Sequence, residues 1–188
     1  MFIGHSFVCR LQRHFYGLHQ YNIGLDTYCE ALFLAKPGAH LTDLWRFANA
    51  VIAKKPDVLI IDIGTNDLCS YGYSPSLLAA EYRSFLNTLI DMGIQKNALI
   101  PVWYRSALPR RSHKLSVERF NTKVDDFNET LVHAFGKDPK KRIFVYKLKG
   151  FRQNFASLQQ DGVHPNRLGL LKFAKAYKGA VLLALKNL

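Results

Sequence analysis

Short runs of apolar residues recur along the whole chain, and polar turn residues and a longer amphipathic stretch follow each run. The run Val58-Leu59-Ile60-Ile61 is one example. An uninterrupted apolar run of this kind is typical of a strand covered on both faces, as in a parallel sheet. Further strands are predicted at 2–3, 31–35, 98–103 and 143–146, although Pro101 weakens the third of these.

Helical patterns fill the intervals between these strands. Ser74 and Pro75 can open a helix, because serine caps a helix start and proline suits the first turn, and Gly93 is a natural stop. The predicted helices are one that is capped by Thr42 or Asp43 and runs to Lys54, and others over 74–92, 116–135 and 166–185. The alternation of strands and helices predicts a three-layer α/β/α fold around a mainly parallel, five-stranded sheet.

Polar residues with catalytic chemistry follow several of these strands. Ser6 comes just after the first apolar run, and Asn66 lies in a Gly-x-Asn turn after the run that ends at Ile61. Asp161 and His164 stand together near the other end of the chain. Because the carboxyl ends of parallel strands meet at one edge of a sheet, we expect these side chains to gather there.

Together these residues supply the parts of a serine hydrolase. The Ser6 hydroxyl becomes an effective nucleophile only when an imidazole removes its proton, and His164 is the candidate base. Asp161 is near enough in sequence for one turn to present it to the other nitrogen of that ring. The Asn66 amide can donate to a developing oxyanion, and Gly64 permits the tight turn before it. Each motif alone is more often a capped turn or a polar loop, but their joint presence favours catalysis.

Four short blocks resemble those of a known family: Gly4-His5-Ser6, Pro37-Gly38-Ala39-His40-Leu41, Gly64-Thr65-Asn66-Asp67 and Asp161-Gly162-Val163-His164-Pro165. They are similar to the blocks of the SGNH (GDSL-type) hydrolase superfamily, in the same order and across most of the chain. The resemblance implies a flavodoxin-like SGNH-hydrolase fold and a triad of Ser6, His164 and Asp161. It implies an oxyanion hole made by the Ser6 and Gly38 backbone N–H groups and the Asn66 amide. The implied activity is that of a serine esterase on a small acyl or acetyl ester, with no metal or organic cofactor.

His5 departs from the family pattern, which has aspartate before the nucleophile. Two interpretations stand: a polar turn residue beside Ser6, or a second imidazole that contacts substrate. The Gly-His-Ser-Phe start also resembles esterase-like domains of mobile-element proteins. A conventional α/β-hydrolase is disfavoured, because Val8 replaces the second glycine of the Gly-x-Ser-x-Gly elbow.

The composition is that of one globular domain. The chain has 188 residues, of which 48% are hydrophobic and 21% charged, and no apolar run approaches the roughly 20 residues of a membrane span. A signal peptide is not recognisable, which predicts an intracellular protein with free thiols at Cys9, Cys29 and Cys69. We expect a single domain over 1–188, and the very short first strand leaves open whether it belongs to a longer chain.

A strong positive charge is the second informative feature. The net charge is +12, which attracts anionic partners. Arg110 and Arg111 lie in a basic segment, 105–114, that follows the fourth strand, and they are candidates to contact an anionic group of the substrate. The alternative function is an SGNH-fold module of little or no activity that holds nucleic acid or an anionic membrane surface; a solvated surface without a partner is equally open. Further basic clusters are Lys147, Lys149 and Arg152, and Lys172, Lys175 and Lys178.

Overall fold

A parallel β-sheet forms the centre of the protein. The computed structural model describes residues 1–25, 28–109, 114–136, 142–152 and 155–186. Within these ranges, five strands pair in the order β2–β1–β3–β4–β5, and every pair is parallel. This is the strand order of flavodoxin-like sheets, so the predicted fold class is confirmed. The strands are β1 (Phe2–Gly4), β2 (Phe33–Ala35), β3 (Leu59–Asp62), β4 (Asn97–Leu99) and β5 (Ile143–Val145).

Helices connect the strands and cover both faces of the sheet. They are α1 (Ser6–Gly17), α2 (Leu41–Lys54), α3 (Thr65–Leu68), α4 (Pro75–Asp91), α5 (Val117–Phe135) and α6 (Arg167–Leu185), with a 3₁₀ turn at Ala156–Leu158. Ser74, Ser116 and Asn166 cap α4, α5 and α6 through their side-chain oxygens, and each stands at the predicted start of its helix. None of the helices in the described ranges has the length and apolar character that a membrane span needs.

The start of α2 differs from the prediction. Neither Thr42 nor Asp43 is the cap, because the helix begins at Leu41 and His40 occupies the cap position. The Asp43 carboxylate instead accepts the His40 backbone N–H, at 3.0 Å, from inside the first turn. An acidic residue at this third helical position stabilises the start of a helix, so the sequence signal was real but displaced by a few residues.

The two faces of the sheet bury separate halves of the core. Along β3, Leu59 and Ile61 face the layer formed by α2, α4 and α5, whereas Ile60 faces the layer formed by α1 and α6. All three side chains are fully buried. Continuous burial on both faces is the physical reason for the uninterrupted apolar run in the sequence.

The end of β1 brings the chain unusually close to β3. Gly4 is in register with Asp62 of β3, and a Cβ atom on Gly4 would overlap the Asp62 carbonyl oxygen. Only glycine fits this approach. The chain therefore leaves the sheet here and enters α1 within two residues, which sets Ser6 at the carboxyl edge.

Candidate active site

Ser6 is the first residue of α1, directly after the turn that ends β1. The first N–H groups of a helix have no partner within the helix, so the Ser6 N–H is available to an incoming oxygen. The Ser6 side chain is half-buried. Among the described residues, its hydroxyl has no hydrogen-bond partner. Catalytic serines often engage their base closely only once a substrate is bound.

Asp161 and His164 form a hydrogen-bonded pair. The His164 Nδ1 lies 2.8 Å from Asp161 Oδ2, and the backbone N–H of His164 donates to Oδ1 at 2.6 Å. The backbone N–H of Val163 donates to the same oxygen at 3.0 Å. With Nδ1–H directed to the carboxylate, Nε2 of His164 carries the lone pair that a general base needs.

The environment of Asp161 keeps it ionised. Partial burial raises its pKa, but the hydrogen bonds from the His164 backbone, the His164 ring and the Val163 backbone outweigh this and bring the pKa to about 2. The carboxylate side chain remains 47% exposed and the imidazole 29% exposed, so the pair is open to solvent and to a substrate.

The loop that carries this pair is fixed from one side by residues after β4. The backbone N–H groups of Ser106 and Ala107 donate to the Gly162 carbonyl at 2.9 and 3.0 Å. Gly162 has φ +75°, and a Cβ atom there would sit 2.7 Å from the Ala107 nitrogen. Gln159 supports the same junction, because its side chain accepts the Ser106 hydroxyl at 2.8 Å and donates to the Tyr104 carbonyl at 2.6 Å. No sequence motif marks Gln159, because its partners are more than 50 residues away in the chain.

The His164 ring reaches the start of α1. It packs edge-on against Phe7, with 6.2 Å between ring centroids, and Phe7 directly follows Ser6. Phe7 in turn packs against Trp103 at 5.9 Å and Phe173 at 5.4 Å. This aromatic cluster joins the first helix, the segment after β4 and the last helix, so the two ends of the chain meet at one edge of the sheet.

Asn66 and Asp67 hold the segment that follows β2. The Asn66 side-chain Nδ2 donates to the Ala39 carbonyl at 2.8 Å. The buried Asp67 carboxylate accepts the Leu41 backbone N–H at 3.1 Å, and burial raises the pKa of Asp67. Gly38, at φ +73°, is exposed next to Ala39. The second and third sequence blocks are thereby brought side by side, and one N–H of the Asn66 amide is left for another acceptor.

His5 is buried rather than presented to solvent. Its side chain is 1% exposed; Nδ1 accepts the Phe7 backbone N–H at 3.3 Å, and Nε2 lies 3.3 Å from Asp62 Oδ1. The Tyr177 hydroxyl donates to the other oxygen of Asp62. Of the two interpretations of His5, this geometry matches the turn residue, because both ring nitrogens already have protein partners. Sequence reasoning missed Tyr177, which lies 115 residues from Asp62.

The basic residues divide between the surface and the interior. Arg110 and Arg111 lie outside the described residues. Arg105, which the sequence groups with them, is 2% exposed and therefore not part of a surface patch. In α6, Lys175 is exposed and Lys172 and Lys178 are half-buried, so this basic cluster faces solvent only in part. In the described part of the chain, no group of three or more His, Cys, Asp or Glu side chains could hold a metal ion.

Comparison with known proteins shows the family of the chain. The model of a family described as GDSL-like lipase/acylhydrolase matches residues 16–177. This range includes Gly38, Asn66, Asp161 and His164 but begins after Ser6. No curated protein is significantly similar in sequence.

Solved structures share the fold across nearly the whole chain. A GDSL-like lipase from Bacteroides thetaiotaomicron is 21% identical with a TM-score of 0.73, over 97% of this chain and 87% of that one. A carbohydrate esterase of family 3 from Talaromyces cellulolyticus is 17% identical with a TM-score of 0.70, over 100% of this chain and 98% of that one. A variant of an acetyl-xylooligosaccharide esterase from Geobacillus is 18% identical with a TM-score of 0.60, over 96% of this chain and 92% of that one.

Proposed function

The chain belongs to the GDSL-like lipase/acylhydrolase family of ester-hydrolysing serine hydrolases, and on this premise we propose that it cleaves a small acyl or acetyl ester through Ser6, His164 and Asp161. The observation that carries the proposal is the Asp161–His164 pair, whose ring packs against the residue that follows Ser6. An ionised carboxylate on Nδ1 orients the imidazole and stabilises the imidazolium that forms during the reaction.

The proposed reaction has two halves. The Ser6 Oγ attacks the ester carbonyl carbon while His164 Nε2 takes the hydroxyl proton. The tetrahedral intermediate collapses, and His164 returns the proton to the departing alcohol, which leaves an acyl group on Ser6. Water then attacks the acyl-enzyme with His164 again as base, and the carboxylic acid is released.

Three donors are proposed for the oxyanion. They are the backbone N–H of Ser6 at the start of α1, the backbone N–H of Gly38 in the turn after β2, and the second N–H of the Asn66 amide. The bond from Asn66 to the Ala39 carbonyl supports this assignment, because it fixes the amide beside the Gly38 turn. Donors held in place before the reaction stabilise the charge without reorganising during it.

The acyl group is proposed to be short. Two of the similar structures bear on this point by their descriptions, a carbohydrate esterase and an acetyl-xylooligosaccharide esterase. These two proteins, at 17% and 18% identity, share the fold with this chain. We propose by analogy with them that the substrate of this chain is also a short acyl ester.

The test is hydrolysis of p-nitrophenyl acetate, butyrate and octanoate by the wild type beside Ser6→Ala. We expect the wild type to prefer acetate and the variant to lose the activity. Labelling with a fluorophosphonate, which reacts with activated serines, should mark Ser6 in the wild type alone. A folded wild type that neither hydrolyses these esters nor becomes labelled would contradict the proposal.

A second candidate is favoured by the net charge of +12. In it, the fold holds nucleic acid or anionic lipid through exposed cations such as Lys147, Lys149 and Lys175. Binding to RNA that weakens steeply with salt would support nucleic acid, because phosphate contacts release counterions. Binding to vesicles that contain phosphatidylserine, without RNA binding, would support lipid. In either case, Arg110→Ala with Arg111→Ala should weaken the binding if these two arginines contribute.

A further inference from the structure

Arg105 is a buried cation beside the proposed oxyanion donor. It follows β4 and is 2% exposed. Its Nη2 donates to the Asn66 Oδ1 at 3.5 Å, and its Nη1 donates to the Cys69 Sγ at 2.8 Å. Its Nε is buried without a hydrogen-bond partner. Within the described ranges, no carboxylate forms an ion pair with it, and the groups that act on it electrostatically are the Cys69 thiol and, more weakly, Asp161.

A cation in this setting needs an explanation. Burial disfavours the charged form and lowers the pKa of Arg105, yet arginine remains charged in proteins. A buried charge without a paired carboxylate is strongly destabilising, and an apolar side chain of similar volume would often serve the fold at least as well. The position of such a charge at a candidate active site therefore favours a catalytic purpose over a structural one.

The surroundings hold Arg105 in one place. The Asn121 side chain accepts the Arg105 backbone N–H at 2.9 Å and donates to the Arg105 carbonyl at 2.9 Å. The guanidinium lies over the Phe120 ring, 5.1 Å from its centroid. Both residues belong to α5, so a rigid helix fixes the backbone and the side chain together. A charge held in this way can act on a reaction without moving.

The contact with Asn66 has a chemical consequence. A cation on the oxygen of an amide draws electron density from the amide nitrogen and makes its N–H groups stronger donors. One of these N–H groups is bound to the Ala39 carbonyl, so the effect acts on the remaining one. The guanidinium also keeps the amide from rotating, because exchange of its oxygen and nitrogen would bring two donors together.

We propose that Arg105 is a positioning residue for the oxyanion hole: it orients the Asn66 amide and strengthens its N–H as a donor to the oxyanion. This inference rests on the proposed function. Arg105 does not touch the substrate, because its side chain is buried. The proposal assigns its effect to Asn66, the oxyanion donor that it contacts, and this assignment gives a clear experimental signature.

A double-mutant cycle tests that signature. The variants are Asn66→Ala, Arg105→Met and the combination, and kcat and KM are measured with p-nitrophenyl acetate. We expect Asn66→Ala to lower kcat by about 10²- to 10³-fold. Arg105→Met should lower kcat by about tenfold with KM changed less than about twofold, and it should add almost nothing when Asn66 is already alanine.

The matched control is Arg119→Met. Arg119 is an exposed arginine whose guanidinium also lies over an aromatic ring, that of Tyr71 at 5.8 Å. The same change of residue type should leave kcat within about twofold of the wild type. If Arg105→Met does not fold, the cycle is repeated with Arg105→Lys, which keeps the charge but lacks the planar fork. We expect Arg105→Lys to lower kcat about threefold, and this loss should again disappear in the Asn66→Ala background.

The outcomes separate this inference from the proposed function. If Ser6→Ala retains the hydrolysis, the proposed function fails and the role of Arg105 fails with it. If Ser6→Ala is inactive but Asn66→Ala is fully active, or if the loss from Arg105→Met is the same with and without Asn66, only the role of Arg105 is overturned. Wild-type kcat in a folded Arg105→Met variant overturns it as well.

Discussion

At the scale of single residues, Asp161 determines how the candidate site responds to acid. Three hydrogen bonds converge on its carboxylate, two from backbone N–H groups and one from the His164 ring. They bring its pKa to about 2 from the ordinary value of 3.8. The carboxylate is thus ionised at mildly acidic pH and above, so protonation of Asp161 should not limit the proposed activity there.

A pH dependence of stability follows from the lowered pKa. A carboxyl group whose pKa is lower in the folded state stabilises the fold above its unfolded pKa and loses this contribution as the pH falls through the folded value. The stabilisation from Asp161 is therefore lost as the pH falls from about 4 to about 2. By urea unfolding, the free energy of unfolding of the wild type should exceed that of Asp161→Asn by more at about pH 6 than at about pH 2.5. Equal differences at both values would contradict the assignment.

At the scale of elements, the start of α1 depends on a buried polar network. His5 caps the helix through Nδ1, and its other nitrogen faces Asp62, which also accepts the Tyr177 hydroxyl. The network joins the end of β1, the end of β3 and α6 below the proposed nucleophile. The two ring nitrogens of His5 can accept the Phe7 N–H and face the Asp62 carboxylate at the same time. An aspartate at this position could accept the N–H, but its charge would repel Asp62.

His5→Asp tests this dependence. The change would set two carboxylates against each other in the interior, and we expect the free energy of unfolding to fall by about 3 kcal/mol. The double variant His5→Asp with Asp62→Asn removes one of the charges and should recover part of the loss. Both are measured by urea unfolding at neutral pH. A double variant that is less stable than His5→Asp would contradict repulsion as the cause.

The loop that carries Asp161 and His164 offers a second test at this scale. Gly162 and Gly150 have nearly the same backbone angle, φ +75° and +74°, but a Cβ atom would overlap Ala107 only at Gly162. Alanine at either position should destabilise the fold by about 1–2 kcal/mol through the left-handed conformation, and at Gly162 the overlap with Ala107 should add to this loss. Only Gly162→Ala should also lower kcat, by about tenfold or more, because the loop must move away from Ala107. Similar kcat values for the two variants would show that this contact does not position the loop.

At the scale of the whole molecule, the charge of the protein should act on the rate of encounter. A net charge of +12 attracts anionic substrates over distances comparable to the Debye length. For an ester with a carboxylate on its acyl group, kcat/KM should fall severalfold between low and high salt. For the neutral p-nitrophenyl acetate it should stay nearly constant. A parallel salt dependence for both substrates would remove electrostatic steering as the cause.

Across the whole molecule, the features that could be predicted from the sequence are those that local patterns mark. Strand β3 was predictable because burial on both faces leaves an uninterrupted apolar run, and the starts of α4, α5 and α6 because Ser74, Ser116 and Asn166 are residue types that cap helices. The partners of His5 and the burial of Arg105 were not predictable. Tyr177, Phe120 and Asn121 come near them only through tertiary packing. A charged residue in a basic segment gives no sign that the fold will enclose it.

One consequence concerns the order in which the protein is made. On the ribosome, Ser6 emerges well before His164, whose ring packs against Phe7, the residue that follows Ser6. The nucleophile turn is also braced by Tyr177 in the last helix. Since a chain is synthesised at about 5–20 residues per second, Ser6 exists for many seconds before His164 and Tyr177 can dock beside it. If Ser6 is the nucleophile, as proposed, the nascent chain carries a serine that is not activated until α6 has packed onto the sheet.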